Sequence, residues 1–246
     1  MRIEQNTFIE ADTHCHTVAS THAYSTVLEM AQYAASAGLK AIAITDHGPA
    51  LPDGCHPWHF GNLRSLPQYI NGVRVLHGVE ANIVDFEGNI DISLQYQLEL
   101  DWVIASFHDP VIASGSLEQH TQAYLMLAEN PYIDVIGHSG SENFKYDYER
   151  VIPVFKANNK LVEINSHSFG VRAGAEENCR QISLLCKKHE VPVVVNSDAH
   201  SCFSVGDVKA ALALLQDINF PQELVINQKL ERLAQWIFKK RNRSII

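Results

Sequence analysis

The sequence is short of basic charge: 19 lysines and arginines against 28 aspartates and glutamates leave a net charge of −9. A chain that binds phosphate backbones usually carries a basic face, so nucleic acid is not an expected partner. No apolar run is long enough to span a bilayer. The opening MRIEQNTFIEAD lacks the basic start and apolar core of a secretory signal. Cysteine is sparse too. The five (Cys15, Cys55, Cys179, Cys186 and Cys202) are odd in number and form no CxxC pair, which argues against a disulfide framework. These absences predict a cytoplasmic chain with no membrane contact. No linker or low-complexity run divides the chain, so a single domain over 1–246 is expected, a length that suits an α/β barrel of roughly 250 residues.

Histidine is the residue in excess, at 13 copies, and its placement depends on the elements around it. Seven short apolar runs, TFIEAD, KAIAIT, VRVLHGVE, LDWVIASF, YIDVIGH, KLVEIN and VPVVVN, read as strands. They are nearly continuous in apolar residues, as parallel strands buried on both faces should be. Between them lie amphipathic stretches. Thr26-Val27-Leu28-Glu29 is a capping box that opens a helix over 26–37. The stretches 176–190 and 206–216 read as helices, the first ending in basic residues that suit a helix C-terminus. The connection HGPALPDGCHPWHFGNLR is long and aromatic enough to be ordered. IVDFEGNIDI reads as a hairpin turning at Glu87-Gly88-Asn89, and the closing KKRNRSII as a solvated basic tail. Alternating strands and helices predict an α/β barrel or an open parallel sheet.

Against those elements the histidines fall at strand ends. His14 and His16 follow the first run, His47 the second and Glu80 closes the third. His108, His138, and the pair Asp198 and His200 follow the fourth, fifth and seventh. In a closed parallel barrel all of these lie on the C-terminal rim, where such folds build their sites. Residues two apart in extended chain share a face, so His14 pairs with His16 and Asp198 with His200. With His22, this makes nine candidate metal ligands. Packing has no reason to repeat imidazole at strand ends, whereas imidazole with carboxylate and no thiolate suits zinc, with manganese or iron as alternatives. Nine ligands exceed one tetrahedral ion and match about three ions with open positions. His59 and Arg64 on the long connection are candidate catalytic groups, as phosphate contacts or general acid, and Asp198 is both ligand and catalytic candidate. Arg172 and His167 are further candidates near the rim. Asp12 and Asp46 are candidate partners for the free N–H of a ligating histidine.

The series DTHCH, TDHG, GVEAN, SFH, IGHSG and NSDAH resembles the motif set of the PHP (polymerase and histidinol phosphatase) superfamily. HTVASTHAYST, PWHF and EENCR resemble its YcdX-type zinc-dependent phosphatase branch, over nearly the whole chain. The resemblance implies a distorted (βα)7 TIM-like barrel, the PHP domain, with a trinuclear zinc centre. It assigns His14, His16, Glu80 and Asp198 to one ion, Glu80, His108 and His138 to a second, and His22, His47 and His200 to a third. It also suggests a homo-oligomer such as a trimer. The expected activity is hydrolysis of a small phosphate monoester by metal-bound hydroxide, a small phosphorylated substrate being the partner that an acidic chain with a cationic pocket favours. The alternatives are a phosphodiesterase or exonuclease on the same scaffold, and a metal-binding regulatory protein without turnover.

Overall fold

The computed structural model describes residues 8–246. Its strands are β1 (Ala11–Cys15), β2 (Ala41–Ile44), β3 (Tyr69–Ile70), β4 (Val73–Asn82), β5 (Trp102–Ser106), β6 (Val135–Ile136), β7 (Leu161–Asn165) and β8 (Val193–Asn196). Seven of them run parallel in the order β1-β2-β4-β5-β6-β7-β8, and β3 adds a short antiparallel ladder at the start of β4. Helices alternate with the strands, so the architecture is the expected distorted (βα)7 barrel. The capping box at Thr26 and Glu29 opens the helix Val27–Ser36. The hairpin after β4 reduces to one bridge, Ile83 to Ile90, with Gly88 at φ +80° supplying the turn.

Alternation along the strands sorts two cores. Ala41 and Ala43 face the barrel interior with Ala11, Leu76, Trp102, Ile104 and Val194, whereas Ile42 and Ile44 face the surrounding helices. The interior layer is closed from below by Leu233, Ala234 and Ile237 of the helix Leu230–Arg241. Polar ligands are therefore confined to the opposite end, where the strands finish.

β1 and β8 meet across a seam carrying only one backbone bridge, Cys15 to Ala199. Side chains complete it. Asn196 Oδ1 accepts from the backbone and hydroxyl of Thr13, at 2.9 and 2.8 Å. Asn227, fully buried, accepts from Val195 N at 3.0 Å and donates to Ala11 O at 2.9 Å and Val195 O at 2.6 Å. One asparagine thus supplies the donors and the acceptor that a missing strand would have offered.

Two expectations are corrected. The first strand begins at Ala11 and contains His14, rather than ending at Asp12; Thr7 of the expected run lies outside the described residues. Glu10 stands just before the strand, its carbonyl accepting from Lys40 N at 2.7 Å while Leu230 N, Lys229 and Lys40 engage its carboxylate. The basic tail is docked, not solvated. Arg241 donates to Gln97 O and Tyr132 O at 2.8 and 2.7 Å and pairs with buried Asp134, Arg243 holds Glu99 O at 2.6 Å, and Ile245 is 3% exposed. Carbonyls of the helix Leu94–Glu99 and of the turn before β6, with a buried carboxylate at the barrel floor, need donors, and the tail provides them. Among the described residues no helix is long and apolar enough to cross a membrane.

Candidate metal centre

Six of the seven parallel strands bring a ligand candidate to one rim. His14 reaches it through an irregularity. Ala11 faces inward, and regular alternation would turn His14 outward, but the β1–β2 register shifts between Asp12 and Cys15. Such a bulge re-aims side chains, and His14 and His16 both enter the interior while Cys15 packs against the helices. His138 is redirected similarly: Val135 faces inward and Ile136 outward, and a φ of +22° at His138 turns its ring back over the barrel. Asp198 also has a left-handed backbone, at φ +54°. Such conformations cost about 1–3 kcal/mol each and concentrate at functional sites.

Glu80 sits at the middle. Its Oε2 lies 3.3 Å from His14 Nε2, 3.5 Å from His16 Nε2 and 2.8 Å from His47 Nδ1. Its Oε1 lies 2.8 Å from His138 Nε2 and 3.5 Å from His108 Nε2. Asp198 Oδ1 lies 3.2 Å from His16 Nε2 and 3.6 Å from both His14 Nε2 and His200 Nδ1. Three groups result in which the donor atoms are within 4.8 Å of one another: His14, His16 and Asp198; His16, His47 and His200; and His47, Glu80 and His108. His138 joins the third through Glu80. His22 stands at the edge, its ring 4.5 Å from that of His200 and its Nδ1 bonded to Asp53. This grouping shares His16 and His47 between clusters, unlike the partition implied by the resemblance.

The donor set fits cations. His14 Nε2, both ring nitrogens of His16, His47 Nδ1, His108 Nε2 and Asp198 Oδ1 are buried without a hydrogen-bond partner. Buried polar atoms are rarely left unpaired, and here they converge. Burial would raise the Glu80 and Asp198 carboxyls, but His14 and its neighbours hold both well below the usual carboxylate range. Burial and the charge of His47 push His16 down to about 3, and burial with Arg172 pushes His138 to about 4. Burial would lower His14 and His47 as well, but Glu163 and Glu80 raise the first and Glu80 raises the second. A divalent ion would therefore meet free lone pairs on His16 and His138 and displace a proton from His14 and His47.

The groups that orient these ligands are not Asp12 and Asp46. Asp12 accepts from Ser197 and from Gly206 N, and Asp46 from Thr17 and Ser20, so both tie down loops. The orienting carboxylate is Glu163 on β7, whose Oε1 lies 2.7 Å from His14 Nδ1. It also accepts from His138 N and Asn196 Nδ2, each at 2.8 Å. Asn82 Oδ1 does the same for His108 Nδ1 at 2.7 Å. Strand alternation carried the signal, because Leu161, Glu163 and Asn165 share the inward face, and a carboxylate there needs a cationic or donor neighbour.

A cavity of about 580 Å3 opens over the cluster. His22, His47, His108, Asp198 and His200 form part of its lining, with Arg172, His167 and apolar Leu51, Pro52, Pro110 and Val171. Two catalytic candidates are elsewhere. His59 turns its Nε2 inward to Asp46 Oδ2 at 3.4 Å. Arg64 lines a separate cavity with Arg74, Asp101 and Arg243, towards the end where the strands begin. The chain descends from the rim to β3 along this segment, which carries Arg64 away from the cluster. Trp58 is exposed and Phe60 is buried in the outer core, and neither is among the residues lining the cavity.

Comparison with known proteins adds independent findings. The PHP domain family matches residues 12–167. A probable phosphatase of Acetivibrio thermocellus is 47% identical over 232 residues, covering 94% of this chain and 96% of that protein. A probable phosphatase of Clostridium botulinum is 44% identical over 229 residues, covering 93% and 94%. Among solved structures, histidinol phosphate phosphatase from Lactococcus lactis, complexed with zinc, L-histidinol and phosphate, superposes with a TM-score of 0.61 at 17% identity. The match covers 86% of this chain and 94% of that one. At that identity the likeness is one of fold.

Proposed function

The chain belongs to the PHP domain family, and on that premise we propose that it is a metal-dependent phosphatase acting on a small phosphate monoester, with three zinc ions held by His14, His16, His22, His47, Glu80, His108, His138, Asp198 and His200. The reading takes 1–246 as one metallohydrolase domain. The observation that carries it is the convergence of unpaired buried donors beneath an open cavity. Phosphatase relatives spanning nearly the full chain support the reaction class.

Bound divalent ions would bring the pKa of adjacent water down to roughly 7 and neutralise charge on a phosphoryl group. The chain supplies the rest. Glu163 and Asn82 fix the ring orientations of His14 and His108, so that each presents Nε2 inward. Arg172, held by Ser168 Oγ at 2.8 Å with Asp198 at 3.7 Å, faces the cavity and is placed to donate to phosphate oxygens. His167 stands exposed on the same wall and is the candidate to protonate the leaving oxygen. Leu51, Pro52, Pro110 and Val171 offer an apolar wall to a small organic leaving group, and the net charge of −9 disfavours a polyanionic polymer.

The test is metal content measured alongside hydrolysis of an aryl phosphate, for the wild type and His16→Ala. His16 serves two donor groups, so the variant should lose both metal and turnover. A reconstituted wild type without bound metal overturns the reading. Faster cleavage of an aryl diester than of the monoester reassigns the enzyme to the phosphodiesterases.

A further inference from the structure

Behind the rim, outside the nine ligands, Asp46, Cys55 and His59 place a carboxylate oxygen, a thiol sulfur and an imidazole nitrogen within 4.8 Å of one another. We propose that these three side chains form a separate mononuclear site for a thiophilic divalent cation such as zinc. Three features of the geometry support it. His59 Nε2 is buried and has no hydrogen-bond partner. It lies 3.4 Å from Asp46 Oδ2, too far for a good hydrogen bond but close to the edge of a tetrahedron whose centre is about 2.0–2.2 Å from nitrogen and oxygen ligands. Cys55 is 3% exposed, and its Sγ donates to Ala19 O at 3.4 Å.

The local fold makes the site from two separate stretches. Asp46 comes from the end of β2, its other contacts fixed by Thr17 and Ser20. Cys55 and His59 come from the long connection, with Pro57 starting the short helix Pro57–Asn62 that turns His59 back towards Asp46. A cation here would clip that connection to the barrel. Binding displaces the thiol proton to solvent and joins the cation to thiolate, carboxylate and neutral imidazole, leaving a fourth position for water. The set contains sulfur, which the rim cluster lacks, so the two sites differ in ligand chemistry and can be told apart spectroscopically.

The experiment loads the full chain with cobalt(II) and records the near-ultraviolet sulfur-to-cobalt charge-transfer band. Only a cysteine ligand produces it, so the outcome does not depend on the rim assignment or on phosphatase activity. The band should be present in the wild type, retained in Cys202→Ser and absent in Cys55→Ser, with one fewer cobalt bound per chain. A wild type without the band, or full intensity in Cys55→Ser, overturns the proposal. His59→Gln changes a partly exposed ring and so guards against a folding defect at the buried cysteine. It should raise the cobalt concentration at half-saturation of the band at least tenfold, and an unchanged titration also overturns the assignment.

Discussion

Glu163→Gln removes one charge and almost no volume from the barrel interior, so its effect isolates what the carboxylate does. All four groups facing it are donors: His14 Nδ1 at 2.7 Å, Asn196 Nδ2 and His138 N at 2.8 Å, and Asn165 Nδ2 at 3.2 Å. A carboxylate accepts from all of them. A glutamine has one acceptor oxygen, and its amide N–H2 must face donors on the other side. At least one buried donor is orphaned, at about 1–3 kcal/mol. The His14 ring loses the partner that fixes Nε2 towards Glu80 and Asp198, an effect worth roughly 10–100-fold in metal affinity, or about 1.4–2.7 kcal/mol. Burial would raise the Glu163 carboxyl, yet His14 outweighs it and holds the group ionised, so it is the charged form that is lost. Chelator competition on the folded protein measures the change directly. Glu118→Gln, which breaks only the exposed pair with Arg150, is the control and should leave affinity unchanged. An affinity for Glu163→Gln within twofold of the wild type would refute the reasoning.

Further perturbations probe other parts of the molecule. Asn227→Leu leaves Val195 N and the Ala11 and Val195 carbonyls unpaired in the seam; urea unfolding should show a loss of about 3–4 kcal/mol, and a loss below about 1 kcal/mol would mean that other groups hold the seam. Arg241→Ala strips Asp134 of its guanidinium partner at the barrel floor and should cost about 3 kcal/mol, moderated by Lys240 at 3.5 Å; a tail behaving as free in solvent would show no change. Arg172→Ala should lower kcat/KM for an aryl phosphate roughly 10–100-fold through one lost charge-assisted contact, and unchanged kinetics would move phosphate recognition to another residue.

Much of the fold and most of the candidate site were legible in the chain itself. Continuous apolar runs such as VPVVVN mark strands buried on both faces, and a capping box marks where a helix starts, because both signals are local. The nine ligand candidates were readable for the same reason, since all but His22 lie at or just beyond the end of a strand. What tertiary structure alone decided involves residues far apart or phases that alternation cannot predict. The bulge in β1 determines that His14 turns inward, and the backbone at His138 does the same for its ring. Which histidines share a carboxylate depends on how six strands converge, and the seam partners Thr13 and Asn196 are 183 residues apart. His59 and Arg64 share the long connection after β2, yet its descending path carries one to Asp46 and the other to a different cavity. Periodicity records which face of an element is buried. Closure of the barrel determines what that face meets.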